Sequence, residues 1–280
     1  MTWVPVVLAV VAIVALAWGV FEAGWVRLET IEAPLPGLPK ELDGLRIAHL
    51  SDFHFGFPSR GRRAVEKAID WVVERKPDLV LVSGDLLSRP SGEADLRRLL
   101  ARLEHCYVVL GNHDFALSRD PFARPSPLYE LEPARVLLDE AEIVSIRGAR
   151  VQIVGVDPRT YHAKKAAPDR VADPEADLRI CLCHFPGISE RIAPGSFDLI
   201  CAGHLHDGQI SLPFPGGKLR FAHLRHRQGR GLLRRPSGLL HISAGLGTTF
   251  GVHAAVDQDR LAGGGPALAA LAARRDTSTP

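Results

Sequence analysis

The amino-acid sequence predicts an α/β fold of layered sheets and helices, and two observations lead to it. In the first half of the chain, short apolar runs alternate with segments in which apolar residues recur at helical spacing. In the second half, apolar runs follow one another at closer spacing, which favours a mixed or a second sheet. At 280 residues the chain is long enough to bury a large core, as one large domain or as two smaller ones.

Three strands and two helices are predicted in the first half. The strands cover residues 45–52, 78–85 and 106–114, the last of which runs on into a loop. The helices cover residues 61–76 and 93–103. In the first helix the apolar residues fall on one face and most charged residues elsewhere, which is the pattern of a helix that packs on a sheet. Further strands are predicted from the later runs EIVSI, VQIVGVD, LRICLCH, FDLICAGH, QISLP and LLHISAG.

The amino-terminal residues 1–26 are predicted to form a single-pass anchor in the cell membrane. The residues from Trp3 to Phe21 carry no charge, and about 20 helical residues cross a hydrocarbon core of about 30 Å. A cleaved signal peptide is the alternative, because ALA at residues 15–17 resembles a cleavage site, but no basic residue precedes the apolar run. A buried helix of a soluble protein is a third interpretation. Arg27 is the only basic residue close by, so the side of the membrane stays open.

The rest of the chain is predicted to divide into a linker, a main domain and an atypical tail. Residues 27–44 include the proline- and glycine-rich segment EAPLPGLPKELDG and predict a linker. Residues 45–251 contain the predicted strands and helices. Residues 252–280 are rich in alanine and glycine, and we expect either a disordered tail or the product of a shifted reading frame.

Composition and charge exclude several classes of function. A formal net charge of +2 gives no strong electric field, so no nucleic-acid partner is expected. A chain that is 46% hydrophobic and 24% charged is a folded one. The four cysteines lie in or beside apolar runs without a C-x-x-C pair, so neither a zinc knuckle nor a disulfide framework is predicted.

Five apolar runs end directly in polar clusters that are able to bind a metal ion: SDFH, SGD, GNHD, CH and AGHLH. In SDFH, Asp52 and His54 stand two residues apart, and in extended backbone their side chains would point to the same face. In layered α/β folds, ligands bind beyond the carboxyl ends of the strands. We therefore expect the five clusters to converge on one metal centre. A glycine stands directly before a metal-capable residue in three of the clusters: Gly84, Gly111 and Gly203. At these points the chain must turn sharply or approach another backbone closely.

Taken in order, the five clusters resemble the motifs of the calcineurin-like metallophosphoesterases. The segments LDGLRIAHLSDFHFG, GNHD and CAGHLHDGQISLPFPGG are similar to a membrane-associated bacterial phosphodiesterase branch of that family. The resemblance covers the chain from about residue 35 to about residue 250. It implies a four-layer αββα sandwich of two mixed sheets flanked by helices, with residues 45–251 as the catalytic domain behind the amino-terminal transmembrane helix.

The resemblance also implies two divalent cations, either Mn, Fe or Zn, because mixed imidazole, carboxylate and amide ligands suit such metals. It implies seven metal ligands: Asp52, His54, Asp85, Asn112, His184, His204 and His206. Of these, Asp52, His54 and His206 would hold one cation. Asp85 would bridge to the second cation, which the remaining three residues would complete.

The function implied by the resemblance is that of a phosphodiesterase or pyrophosphatase. A hydroxide bridging the two metals would attack phosphorus, His113 would protonate the leaving group, and Asp114 would orient the His113 ring. The predicted anchor favours lipid-linked phosphoesters as substrates. Soluble nucleotides or cyclic nucleotides are the alternative substrates, and a non-catalytic metal-binding scaffold is the alternative function. We expect a monomer. The other histidines are assigned structural roles. For two of them, His223 and His241, a position at the border of the cleft is the alternative.

Overall fold

The computed structural model describes residues 3–22, 26–57, 61–117, 124–126, 128–206, 210–214, 217–220, 229–247, 254–255 and 267–275. The helices in these residues are α1 (Trp3–Glu22), α2 (Gly61–Arg75), α3 (Glu93–Leu100) and α4 (Pro158–His162). The strands, in chain order, are β1 (Arg27–Leu35), β2 (Arg46–Leu50), β3 (Leu79–Ser83), β4 (Cys106–Val109), β5 (Arg135–Val136), β6 (Glu140–Ile146), β7 (Ala149–Gly155), β8 (Leu178–Leu182), β9 (Leu199–Ala202), β10 (Ile210–Phe214), β11 (Gly217–Arg220), β12 (Gly231–Arg235), β13 (Gly238–Ile242), β14 (Ala254–Ala255) and β15 (Ala267–Arg275).

Most of the described strands form two six-stranded sheets. The first sheet has the strand order β1-β15-β2-β3-β4-β5, and the second has the order β12-β13-β9-β8-β7-β6. A smaller sheet has the order β11-β10-β14. Strands β2, β3 and β4 run parallel, as do β7, β8, β9 and β13. The carboxyl ends of the parallel strands in each sheet therefore lie at one edge, and the predicted α/β fold with two sheets is confirmed.

The two sheets pack face to face, and helices cover the outer face of the first one. Successive residues of β2 alternate between these layers, as the side chains of a strand must. Ile47 lies in the core between the sheets, whereas Ala48 and Leu50 pack with the apolar faces of α2 and α3. Ile47 and Leu50 are fully buried, and a buried side chain of this kind contributes about 1.5–3 kcal/mol relative to an exposed one.

The outer face of the second sheet is covered by shorter segments. A third apolar cluster joins β8, β9 and β13 to the turn at residues 186–190, and Tyr161 of α4 packs against it. This arrangement places α4 close to the residues that follow β8.

At both ends of the chain the structure shows strands where none was predicted. Part of the predicted linker forms β1, and part of the predicted tail forms β15, which lies between β1 and β2 in the first sheet. Leu271 of β15 pairs with Ile31 on one side and Ile47 on the other, and it is buried. The physical reason is that β2 would otherwise leave a row of backbone N–H and C=O groups unpaired at the edge of the sheet. The sheet therefore extends beyond residues 45–251 at both ends; residues 252–253, 256–266 and 276–280 lie outside the described residues.

The transmembrane helix predicted at the amino terminus is not confirmed. In the part of the chain that the structure describes, no helix has the length and apolarity needed to cross a membrane. The helix α1 does present large apolar side chains to solvent from Trp3 to Val14.

Candidate metal centre

The five predicted clusters follow five strands whose carboxyl ends face one another across the two sheets. Asp52 and His54 follow β2, Asp85 follows β3, and the GNHD segment follows β4 in the first sheet. The second sheet contributes the residues after β8 and β9. The structure brings together all seven predicted ligands and His113, and each is buried except His204, which is partly exposed.

The first group of ligand atoms comes from Asp52, His54 and His206. Nε2 of His206 lies 3.2 Å from Oδ1 of Asp52 and 3.1 Å from Nε2 of His54. The ligand atoms of the three residues all lie within 4.8 Å of one another. This group therefore converges on a single point.

The second group centres on His184. Its Nε2 lies 3.0 Å from Oδ1 of Asn112, 3.1 Å from Nδ1 of His204 and 3.3 Å from Oδ2 of Asp85. Asp85 lies between the two groups, because the same Oδ2 atom is 3.8 Å from Nε2 of His54. Nε2 of His113 is 4.0 Å from that oxygen, which places the imidazole at the same junction.

The spacing of these atoms fits divalent cations. Two ligand atoms that each lie about 2.1 Å from one ion, at angles of about 90–110°, are about 3.0–3.4 Å apart. The closest N···N and N···O distances within the two groups are 3.0–3.3 Å. Imidazole, carboxylate and amide donors are the set expected for Mn, Fe or Zn rather than for a soft ion. The donor set and its spacing therefore fit the metals that the sequence predicts.

Two of the histidines are oriented from behind in the way that metal ligands usually are. Nδ1 of His184 lies 2.8 Å from the backbone carbonyl of Ser83, and Nδ1 of His54 lies 3.0 Å from Oγ of Ser88. A proton on Nδ1 of His184 donates to that carbonyl and leaves the lone pair of Nε2 directed into the site. Such outer contacts fix the tautomer and the ring plane of a ligating imidazole.

The backbone reaches the site in a way that the sequence did not predict. Asp52 and His54 were expected in extended backbone, but β2 ends at Leu50 and their φ angles are 55° and 50°. Asp85, His204 and His206 also have positive φ. Such left-handed conformations cost about 1–3 kcal/mol each for residues other than glycine and cluster at functional sites.

The strained loops are held by hydrogen bonds to their neighbours. The amide of Asp52 donates to the carbonyl of Gly84, and the amide of His54 donates to the carbonyl of Asp85. The amide of His204 in turn donates to the carboxylate of Asp52 at 3.2 Å. Main-chain bonds therefore join the ligand loops of the first sheet, and an amide-to-carboxylate bond joins them to the His204 loop of the second.

The glycines before the ligands leave space that other ligands fill. A Cβ atom on Gly203 would lie 2.5 Å from Oδ2 of Asp52, and one on Gly84 would lie 2.9 Å from Nδ1 of His184. A Cβ atom on Gly111 would overlap the carboxylate of Asp85. The close approach predicted for these glycines is confirmed.

The two buried carboxylates of the site each face more than one imidazole. Burial alone would raise the pKa of Asp52, but His206 and His184 hold that pKa well below its usual range. Burial would likewise raise the pKa of Asp85, and His184 and His113 lower it. Two buried carboxylates are therefore ionised and attract positive charge into the site.

The histidines respond according to their nearest charge. Burial opposes protonation of His184, but the Asp85 carboxylate outweighs it and raises the pKa of His184 to about 9. The pKa of His206 is raised by Asp52 against the effect of burial. The pKa of His54 is lowered, first by burial and then by the neighbouring His113.

Asp114 shapes the loop that carries Asn112 and His113. Its carboxylate accepts hydrogen bonds from the amides of Leu86, Leu87 and Gly111 at 2.8–3.0 Å. Burial and the charge of Asp85 raise the pKa of Asp114 to about 7, while the three amides oppose that shift. Its predicted role in orienting the His113 ring stays a prediction.

Sequence reasoning missed several residues around the site. Phe115 follows the GNHD segment and Phe185 follows His184, and both pack beside ligand loops. A phenylalanine directly after two of the five clusters was a signal that the sequence offered. Nδ1 of His241 lies 2.7 Å from Nδ1 of His49 in the buried interior, which fits a structural role for His241. His223 lies outside the described residues.

Comparison with known proteins gives a match to one family profile and to several relatives. Residues 45–208 match the family profile described as Calcineurin-like phosphoesterase. The chain is 28% identical to the uncharacterized metallophosphoesterase YkoQ of Bacillus subtilis (strain 168), over 76% of this chain and 80% of that protein. It is 27% identical to the phosphodiesterase YaeI of Escherichia coli (strain K12), over 70% of this chain and 72% of that protein. It is 26% identical to the UDP-2,3-diacylglucosamine pyrophosphatase LpxG of Chlamydia trachomatis, over 81% of this chain and 85% of that protein.

Proposed function

The chain belongs to the calcineurin-like phosphoesterase family, and on this premise we propose that it hydrolyses phosphodiester or pyrophosphate bonds with the help of two divalent cations. The observation that carries the proposal is the position of Asp85. Its carboxylate lies between a group formed with Asp52, His54 and His206 and a group centred on His184. A carboxylate in that place offsets the repulsion between two bound cations.

Each residue has a distinct part in the proposed reaction. Asp52, His54 and His206 would hold one cation, and Asn112, His184 and His204 would hold the other. Asp85 lies where it could serve both. When bound, paired cations neutralise phosphate oxygens and lower the pKa of water. His113 keeps 8% of its side chain exposed, and its Nε2 lies at the junction of the two groups. It protonates the oxygen of the leaving group, a contribution of about 10²–10⁴-fold for a well-placed acid.

The proposed substrates are lipid-linked phosphoesters or pyrophosphates at a membrane surface. Support comes from the exposed apolar side chains of α1, among them Trp3, Leu8 and Ile13, which favour attachment to a bilayer. Further support comes from the similarity to a relative whose name gives a diacylated sugar nucleotide as its substrate. Flotation with phospholipid vesicles tests the attachment: the full chain should float, and a variant with Leu8→Asp and Ile13→Asp should not. If the two proteins float equally, the apolar side chains of α1 do not support attachment to a bilayer.

Hydrolysis of bis-p-nitrophenyl phosphate by the full chain in detergent micelles tests the reaction class. We expect turnover that requires added Mn²⁺ and that is lost in Asp85→Asn. The matched control is Asp70→Asn, which should retain full turnover. Asp70 is an exposed carboxylate on α2 that pairs with Arg102. Turnover that is indifferent to metal, or that survives Asp85→Asn, would refute the proposal.

A further inference from the structure

A column of three stacked groups stands behind the second group of ligands. Phe185 follows His184 directly, and its ring lies flat against Tyr161, with centroids 4.3 Å apart and planes inclined by 13°. The guanidinium of Arg191 covers the Tyr161 ring at 3.9 Å. Arg191, Tyr161 and Phe185 are called the stacked column below. No part of it was predicted from the sequence.

The inner end of the stacked column touches two predicted ligands. The Phe185 ring meets His184 edge-on at 4.8 Å, and it meets His204 at the same centroid distance with an interplanar angle of 67°. Edge-to-face contacts of this kind are worth about 0.5–1.5 kcal/mol beyond the buried area, and they favour one ring orientation over others.

The outer end of the stacked column is fixed to the rest of the protein. Nη1 of Arg191 donates to the backbone carbonyl of Tyr161 at 2.9 Å. Asp157 accepts from the amide of Arg159 at 2.7 Å and so caps α4, which carries Tyr161. Gly187 leaves room for the Tyr161 hydroxyl, since a Cβ atom there would lie 2.6 Å from it. The position of the Tyr161 ring is therefore set by α4 and by the turn after His184.

Phe185 contacts two ligands of the same group. His184 is also held by its Nδ1, which lies against the Ser83 carbonyl. His204 contacts both the His184 and the Phe185 rings, and it is the more exposed of the two ligands. A shift of Phe185 would therefore disturb the second group, where the His204 ring has more room to move.

We propose that Tyr161 is a positioning residue that holds the His204 ring, through Phe185, in the plane needed to bind the second cation. The proposal rests on the two-cation site proposed above. Metal–ligand distances in protein sites stay within about 0.2 Å of their usual values, and loss of a group that holds a ligand directly costs about 10–100-fold in metal affinity. Tyr161 acts one contact further out, so we expect the lower end of that range. Tyr161 thereby sets the affinity of the second cation without touching it.

Calorimetric titration of the metal-free full chain with Mn²⁺, in detergent micelles, tests the proposal. The wild type should bind two ions. Tyr161→Leu should bind one of the two about tenfold more weakly and the other unchanged. Tyr161→Phe, which keeps the flat ring, should stay within about threefold of the wild type at both sites. In the Co²⁺-loaded protein, Tyr161→Leu should also change the visible absorption of one ion only.

The matched control is Trp71→Leu. Trp71 is likewise covered by an arginine, with the Arg75 guanidinium at 4.3 Å, but it lies beside Arg46 at the opposite end of β2 from Asp52. This variant should lower the melting temperature and leave both affinities unchanged. If Tyr161→Leu fails to fold, Arg191→Met is used instead, because it removes the guanidinium that covers the Tyr161 ring. The affinity for the same ion should then fall by about threefold to tenfold.

The outcomes separate this proposal from the proposed function. Fewer than two ions bound to the wild type would refute the two-cation site and this proposal with it. Two ions bound with wild-type affinities by Tyr161→Leu, or by Arg191→Met where that variant is the one that folds, would overturn the positioning role alone. Equal weakening of both ions by Tyr161→Leu and Trp71→Leu would show a general loss of stability and would also overturn it.

Discussion

Gly203→Ala places one methyl group where the structure has no room for it. The added Cβ atom would lie 2.5 Å from Oδ2 of Asp52 and 2.8 Å from Cβ of Ser51. Ordinary van der Waals contact begins near 3.4 Å, so the carboxylate must move by about 0.9 Å. Metal sites tolerate about 0.2 Å, and a displacement of about 1 Å in an active site costs about 10²-fold in rate.

The expected result is a protein that folds but loses the cation held by Asp52. Overpacking a buried position costs about 1–3 kcal/mol, which lowers stability without unfolding a domain of this size. Metal content measured by plasma mass spectrometry should fall by one ion per chain. Hydrolysis of bis-p-nitrophenyl phosphate should fall by about 10²-fold or more.

Gly155→Ala is the matched control, because its added Cβ atom would collide with Leu137 in the core rather than with a ligand. It should destabilise the fold and leave metal content unchanged. A Gly203→Ala protein with two ions and wild-type turnover would refute the steric argument, and so would equal metal loss in both variants.

Three further predictions concern protons. Because the pKa of His184 is raised to about 9, binding of the second cation must expel the proton of His184, and the affinity for that cation should rise about tenfold per pH unit up to pH 9. Titration calorimetry in buffers of different ionisation enthalpy should show release of about one proton as this cation binds. Heats independent of the buffer would contradict this. Burial lowers the pKa of His241 from 6.5 to about 4, so below pH 6.5 the unfolded chain binds a proton that the folded chain does not, and stability should fall by up to about 3 kcal/mol between pH 6.5 and pH 4. Urea unfolding of the metal-free protein should show this slope. His241→Gln should reduce it but not abolish it, because burial also lowers the pKa values of His49 and His54; equal slopes would count against the assignment. Finally, His113→Ala should slow hydrolysis of a dialkyl phosphate far more than that of bis-p-nitrophenyl phosphate, whose leaving group needs little help from an acid; equal losses on both substrates would remove His113 as the acid.

The placement of the ligand clusters was predictable because parallel strands impose it. Once β2, β3 and β4 are recognised as strands, the residues after their carboxyl ends must meet at one edge of the sheet. The conformation of those residues was not predictable in the same way. The positive φ values at Asp52 and His54 are stabilised by hydrogen bonds to Gly84 and Asp85, which are distant in sequence.

The ends of the chain show a second limit. The segment ALAALAARR that forms β15 is rich in alanine, whose intrinsic preference is for helix. It becomes a strand because β1 and β2 offer it two rows of hydrogen-bonding partners, and strand preference depends strongly on such context. The stacked column escaped prediction for the same reason, since Tyr161 and Phe185 meet only after α4 has packed on the second sheet.

The measurement that tests the account most directly is the initial rate of bis-p-nitrophenyl phosphate hydrolysis as the metal-free full chain is titrated with Mn²⁺, with bound metal determined at each point. We predict a rate that rises with occupancy and reaches its plateau at two ions per chain, with no plateau activity in Asp85→Asn. A plateau at one ion, or a chain that holds two ions and does not hydrolyse the ester, would contradict the account.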